Sequence, residues 1–93
     1  MTAPYLGNPK KTIEVLQKYD FVFQKKYGQN FLIDTHVLDK IINAAEITEE
    51  DFVLEIGPGI GTMTQYLASR AREVFAVEID RALIPILEDT LSD

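Results

Sequence analysis

The run Val53-Leu54-Glu55-Ile56-Gly57-Pro58-Gly59-Ile60-Gly61-Thr62 constrains the chain more than any other feature, because an apolar strand passes there directly into a glycine loop. Its first half has the β-branched, apolar character of a strand buried on both faces. The glycines that follow let a ligand approach the backbone where a side chain would obstruct it. A second apolar run ends in Val77-Glu78-Ile79-Asp80, and Glu78 lies 21 positions after Gly57. An acidic residue closing a second strand near that separation accepts hydrogen bonds from both hydroxyls of a ribose. Together the two features read as half of a nucleotide-cofactor site. A glycine-rich turn with only a structural role is the plainer alternative, and the acid at the expected distance weighs against it.

The glycine spacing selects among cofactors. Dinucleotide enzymes use G-x-G-x-x-G, whereas the third glycine here is Gly61 and the position that pattern requires is Thr62. Glu55, two residues before the loop, is a poor neighbour for a pyrophosphate but suits a cofactor bearing an ammonium and a sulfonium. Acidic-x-Gly-x-Gly-x-Gly resembles the first motif of class I S-adenosylmethionine-dependent methyltransferases. Glu78 then resembles their ribose-binding acid.

The chain has 93 residues, which is too short for a complete doubly wound sheet. No apolar run approaches the roughly 20 residues of a membrane span, and residues 1–9 lack the apolar core of a signal peptide, so no membrane is expected as a partner and the cytoplasm is the expected location. There is no cysteine and one histidine, His36, which argues against disulfides, thiolate or histidine metal sites and a Ser-His-Asp triad. The net charge is −6, unevenly spread. Residues 1–33 carry five lysines against Glu14 and Asp20, a balance of +3, which leaves −9 for the remainder. The acidic part is unsuited to tracking a phosphate backbone, while the basic arm suits it; a solvated lysine face explains the arm equally well on composition alone.

Asn8-Pro9 is a good helix start, and Ile13, Leu16 and Tyr19 give an apolar stripe to a helix over 9–18. Residues 20–30 show no sustained period; Phe21, Phe23 and Tyr27 among lysines suggest an extended arm docked by aromatics. Asp34 caps a second helix with an apolar face of Val37, Leu38, Ile41, Ile42 and Ala45, and His36 falls in its polar first turn. A strand over 52–56, a helix over 61–69, a strand over 73–78 and a last helix using Leu83, Ile84, Leu87 and Leu91 complete the order. Pro85 requires that last helix either to begin near Ala82 or to bend. The fold class is α/β, the N-terminal part of a Rossmann-like domain, with two parallel strands and flanking helices. Two parallel strands expose two sheet edges, so the chain reads as truncated and is expected to self-associate through those edges.

A rarer motif, Lys25-Lys26-Tyr27-Gly28-Gln29-Asn30-Phe31-Leu32, lies one helix upstream of the glycine loop. Gly-Gln-Asn-Phe-Leu, then Glu-Ile-Gly-Pro-Gly-Ile-Gly, then Val-Glu-Ile-Asp resembles the small-subunit ribosomal RNA adenine dimethyltransferases, the dimethyladenosine transferases whose loss confers kasugamycin resistance. The leading Thr-Ile-Glu-Val-Leu-Gln-Lys-Tyr is similar to the N-terminal extension of bacterial members, so the resemblance spans nearly the whole chain. The macrolide-resistance methyltransferases of large-subunit RNA share Gln-Asn-Phe but usually lack Gly-Pro-Gly. By resemblance, Asn30 and Leu32 bracket the methionine end of S-adenosylmethionine, with the Asn30 carboxamide on its carboxylate and Gln29 lining the same entrance. Gly57 and Gly59 lie beneath the methionine and ribose, Gly61 makes the turn into the helix, and Glu78 binds the ribose. Leu32 has plain packing as its alternative role, and Asn30 a turn or helix-cap role.

The resemblance divides the chain into a basic helix and arm with the cofactor-entrance motif (1–33) and the first half of the cofactor domain (34–93). It implies attack of an adenine amine on the sulfonium methyl, twice, in small-subunit RNA during ribosome biogenesis. The Asn-Pro-Pro-aromatic motif that serves the amine and stacks on the flipped base is absent: the prolines are Pro4, Pro9, Pro58 and Pro85. No catalytic residue is therefore expected in this chain. Lys25 and Lys26 are candidates for RNA contact. Two alternatives remain: a large-subunit RNA methyltransferase, and an RNA-binding module without catalysis.

Overall fold

The computed structural model describes residues 4–20 and 35–92. Helix α1 spans Pro9–Lys18, α2 Thr35–Ala45, strand β1 Phe52–Ile56, α3 Thr62–Arg70 and β2 Glu73–Val77; a 3-10 turn, Arg81–Leu83, leads into α4, Ile84–Thr90. β1 and β2 pair in parallel, Leu54 opposite Phe75 and Ile56 opposite Val77, with α3 as the crossover.

Local chemistry explains the helix ends. Asn8 Oδ1 accepts from Lys10 N at 2.9 Å, and Pro9 occupies the first helical position, where no N–H is needed. Asp20 follows α1 at φ 49, a left-handed residue that stops the helix. Asp80 Oδ1 accepts from Ala82 N and starts the 3-10 turn, so Pro85 falls in the first turn of α4 and no bend is required.

The buried core is not where the apolar stripes place it. Leu6, Ile60, Leu83, Ile86 and Leu87 form one cluster, with Val15, Leu16 and Tyr19 of α1 packed against it. The inner face of α1 is thus 12, 15, 16 and 19, with Thr12 buried and Ile13 52% exposed. Thr12 faces inward because its hydroxyl donates to the carbonyl of Leu6, which a methyl group cannot do. In α2 only Leu38 and Ile42 are buried, against α3, while Val37, Ile41 and Ala45 are exposed. Ile84 is also outside the core.

The N-terminal segment is threaded between helices. A Cβ at Gly7 would sit 2.5 Å from Thr35 Cγ2 and 2.7 Å from the Tyr66 hydroxyl, so only glycine passes there. Beside it the carboxamide of Gln65, 2% exposed, accepts from Tyr5 N and Leu6 N, both at 3.1 Å, and donates to Thr90 O at 2.9 Å. At the rim, Asp89 Oδ2 accepts from Lys18 Nζ at 2.8 Å and from the Tyr19 hydroxyl, joining α1 to α4. Both bonds hold the Asp89 carboxyl below its usual range.

The expectation that β1 is buried on both faces is corrected. Phe52, Leu54 and Ile56 are 62, 65 and 73% exposed, and Phe75 and Val77 beside them are more than half exposed. The reason is one-sided cover: α3 packs on the face carrying Val53, Glu55 and Val74, and α2 and α4 pack against α3. β2 ends at Val77, one residue short of the expected end at Glu78.

Glu55 lies under α3, where its carboxylate accepts from the Thr64 hydroxyl. Burial raises its pKa above 4.5, and the Thr64 bond opposes the rise. Between the ordinary glutamate range and this raised value the unfolded chain binds fewer protons than the folded one, so stability falls as pH rises through that window. Glu55→Gln keeps an acceptor for Thr64 and carries no charge. Chemical denaturation across a pH series is expected to show a shallower decline for this variant and stability at neutral pH no lower than that of the parent. An unchanged slope would disprove the assignment.

Candidate cofactor site

Where β1 ends, the chain makes three left-handed steps within five residues: Gly57 at φ 71, Gly59 at φ 64 and Gly61 at φ 96. L-residues pay about 1–2 kcal/mol for that conformation, which is why glycine recurs. The outer two glycines have different surroundings. Gly61 is buried, and a Cβ there would meet Thr90 Oγ1 at 2.9 Å and the Leu91 and Leu87 side chains at 3.2 and 3.3 Å. Gly57 is exposed, with nothing within 4 Å of a Cβ. Gly61 is therefore shaped by packing, and Gly57 borders open space.

Backbone bonds hold the loop's path. Gly57 N donates to Val77 O at 2.8 Å, which extends the parallel ladder one step past β1, and Gly61 N donates to Pro58 O at 3.0 Å, which closes the turn into α3. Glu78, the first residue beyond β2, accepts from Gly59 N at 3.1 Å through Oε1 and from Asp80 N at 3.0 Å through Oε2. One half-buried carboxylate thus ties the glycine loop to the turn after β2. Each oxygen has spent one acceptor position on the protein, and a carboxylate offers about four, so capacity remains for a pair of ligand hydroxyls.

Gly57, Gly59, Gly61 and Glu78 are brought together at the carboxyl ends of both strands, where open α/β sheets bind ligands. Gln29, Asn30 and Leu32, expected at the cofactor entrance, and Lys25 and Lys26, expected on RNA, lie outside the described residues. A cavity of about 320 Å³ lies between α3 and the amino end of β2, lined by Thr64, Ala68, Arg72 and Val74 among others. It is at the wrong end of the strand to serve Glu78. Among the described residues no three acidic or histidine side chains gather to hold a metal ion, and no helix is long and apolar enough to cross a membrane.

Four residues support the site, and only Asp80 belongs to a sequence motif. Thr90 Oγ1 donates to Ile60 O at 2.7 Å inside the loop, Gln65 holds Thr90, Thr64 meets Glu55, and Asp80 caps the turn beyond Glu78. Only Asp80 carries a local signal, an acid before a helical run. The other three are polar residues whose partners lie 9 to 60 positions away.

Residues 20–93 match the family model described as ribosomal RNA adenine dimethylase. The chain is 78% identical over 89 residues to the ribosomal RNA small subunit methyltransferase A of Lachnoclostridium phytofermentans, covering 95% of this chain and 31% of that protein. It is 58% identical over 87 residues to the protein of the same name from Bacillus pumilus, covering 94% and 30%. A crystal structure of a dimethyladenosine transferase from Plasmodium falciparum superposes with a TM-score of 0.62 at 39% identity, over 68% of this chain and 24% of that one. The chain spans about 30% of the length of the curated relatives it matches. The parallel strands and flanking helices agree with these matches, and the chain belongs to the ribosomal RNA adenine dimethylase family.

Proposed function

We propose that this chain is the S-adenosylmethionine-binding N-terminal segment of an enzyme that dimethylates adenine amines of small-subunit ribosomal RNA in the cytoplasm during ribosome biogenesis. The observation that carries the reading is the Glu78 carboxylate, bonded to Gly59 N and standing beside a glycine whose outer side is open. The small-subunit name of the relatives favours that RNA over the large-subunit alternative.

In this reading Glu78 offers its remaining acceptor positions to the two ribose hydroxyls. Gly57 and Gly59 let the ligand pass close to the backbone, and Gln29, Asn30 and Leu32 hold the methionine end. When bound, S-adenosylmethionine supplies a methyl group on a sulfonium centre. The chain's task is to orient that centre and keep it in place, because an in-line transfer draws most of its rate from alignment. Lys25 and Lys26 give the arm its charge for RNA. Without an Asn-Pro-Pro-aromatic motif the 93 residues have no group to receive the adenine amine, so no methyl incorporation into small-subunit RNA is expected from them alone; a radiolabelled methyl-transfer assay checks this.

Titration with S-adenosylmethionine, followed by amide shifts at residues 57–61, tests the site. Weak binding at most is expected of these 93 residues alone, and Glu78→Ala and Asn30→Ala should each weaken it further by about tenfold to a hundredfold, the worth of one or two charge-assisted hydrogen bonds. Gly57→Ala and Gly61→Ala should part company: the second costs more stability because its Cβ meets Thr90, the first more affinity because its Cβ enters the ligand's space. Equal loss of affinity in Glu78→Ala and in an exposed control such as Glu88→Ala would sink the assignment.

Self-association is the second expectation. Phe52, Leu54, Ile56, Phe75 and Val77 form an apolar sheet face beside strand edges that are unpaired among the described residues. Sedimentation velocity should show concentration-dependent dimers or larger species; a monomer at every concentration would count against it.

A further inference from the structure

We infer that Thr90 and Gln65 are positioning residues of the glycine loop, and that the N-terminal segment sets the loop through them. Ile60 is the loop residue between two left-handed glycines, and it is anchored twice: its side chain is fully buried in the core cluster and its carbonyl accepts from Thr90 Oγ1 at 2.7 Å. Thr90's own carbonyl accepts from Gln65 Nε2, and Gln65 Oε1 accepts from the amides of Tyr5 and Leu6. The Leu6 carbonyl in turn accepts from Thr12 of α1. Leu6, Thr12, Gln65 and Thr90 are all at least 95% buried, so water cannot replace a lost member of the chain of bonds.

The loop is therefore held between two hydroxyl- or carboxylate-bearing side chains. Glu78 grips Gly59 from the ligand side and Thr90 grips Ile60 from the core side. Glycines on either side of Ile60 carry no side chain that could hold the loop instead, so the residue 60 anchor fixes where the Gly59 amide meets Glu78. The family match begins at residue 20, whereas this path starts upstream, at residues 5–12. A segment upstream of the family model's match is thus built into the loop of the site. The consequence for cofactor affinity rests on the function proposed above; the loop geometry does not.

Amide hydrogen exchange on the 93-residue chain, without cofactor, decides the inference. Thr90→Val keeps the shape of the side chain and removes the donor. The Gly59 and Gly61 amides should exchange about tenfold faster, as expected for a lost anchoring bond, while the Gly57 amide in the sheet and the Ala71 amide at the end of α3 keep their rates. Thr90→Ser restores the donor and should restore protection. Thr12→Val, which touches no loop atom, should give the same selective acceleration and decides the matter if Thr90→Val fails to fold. Equal acceleration of all four amides, or none at Gly59 and Gly61, overturns the inference. In the cofactor arm Thr90→Val should weaken S-adenosylmethionine binding with Glu78 intact. Failure of the parent chain to bind would overturn the cofactor reading alone, since the amide pattern is read without ligand.

Discussion

The Gln65 carboxamide is buried among groups that no secondary structure would satisfy: two amides of a segment that has not yet become helix, and a carbonyl at the end of α4. Unmade hydrogen bonds of buried groups cost roughly 1–3 kcal/mol each, a large share of the stability of a domain this small. One side chain with two donors and one double acceptor answers three of them at once. Its position on α3 brings residues 5–6, α3 and α4 to one point, and the apolar cluster around Leu6, Leu83 and Ile86 closes over that point. Remove the amide and the N-terminal segment, α1 and α4 lose their common reference. At the rim the Asp89 contact with Lys18 is exposed and that with Tyr19 only part-buried, so neither replaces it.

The two conspicuous carboxylates of the motif have opposite environments, and that separates their roles. Glu55 is turned beneath α3 onto the Thr64 hydroxyl, where burial favours its protonated form. Glu78 stands at the strand ends with a backbone amide on each oxygen. Backbone N–H groups are spent on the second acid and a neutral hydroxyl on the first, and burial lets Glu55 lose its charge. Glu55 thus has a place in the fold that owes nothing to a ligand, although sequence spacing alone makes it a neighbour of the cofactor.

Local signals were legible where the cause is local. Asn8-Pro9 starts α1, the glycines mark the only path from β1 to α3, and Pro85 falls where a helix tolerates it; all three follow from dihedral and donor rules within a few residues. Glu78 was legible because strand, crossover helix and strand have typical lengths that bring residue 78 back beside residue 59. What failed to show is long-range. Periodicity places Ile13 in the core, and only the position of Leu6 shows why Thr12 takes its place. Gln65 and Thr90 read as ordinary polar helix residues, because their partners are 25 to 60 positions distant. The apolar run of β1 suggests two buried faces; Phe52, Leu54 and Ile56 make one face wholly apolar, and composition cannot record what covers it.

Charge is divided unevenly along the chain. Residues 34–93, which hold the glycine loop and Glu78, carry −9, and residues 1–33 carry +3. At physiological ionic strength charges are screened beyond about 8 Å, so a ligand at the strand ends responds mainly to the acidic side chains near it. A sulfonium and an ammonium gain there, and a phosphate backbone loses. Attraction for a polyanion is concentrated in residues 1–33, and residues 34–93 taken together repel what that segment attracts.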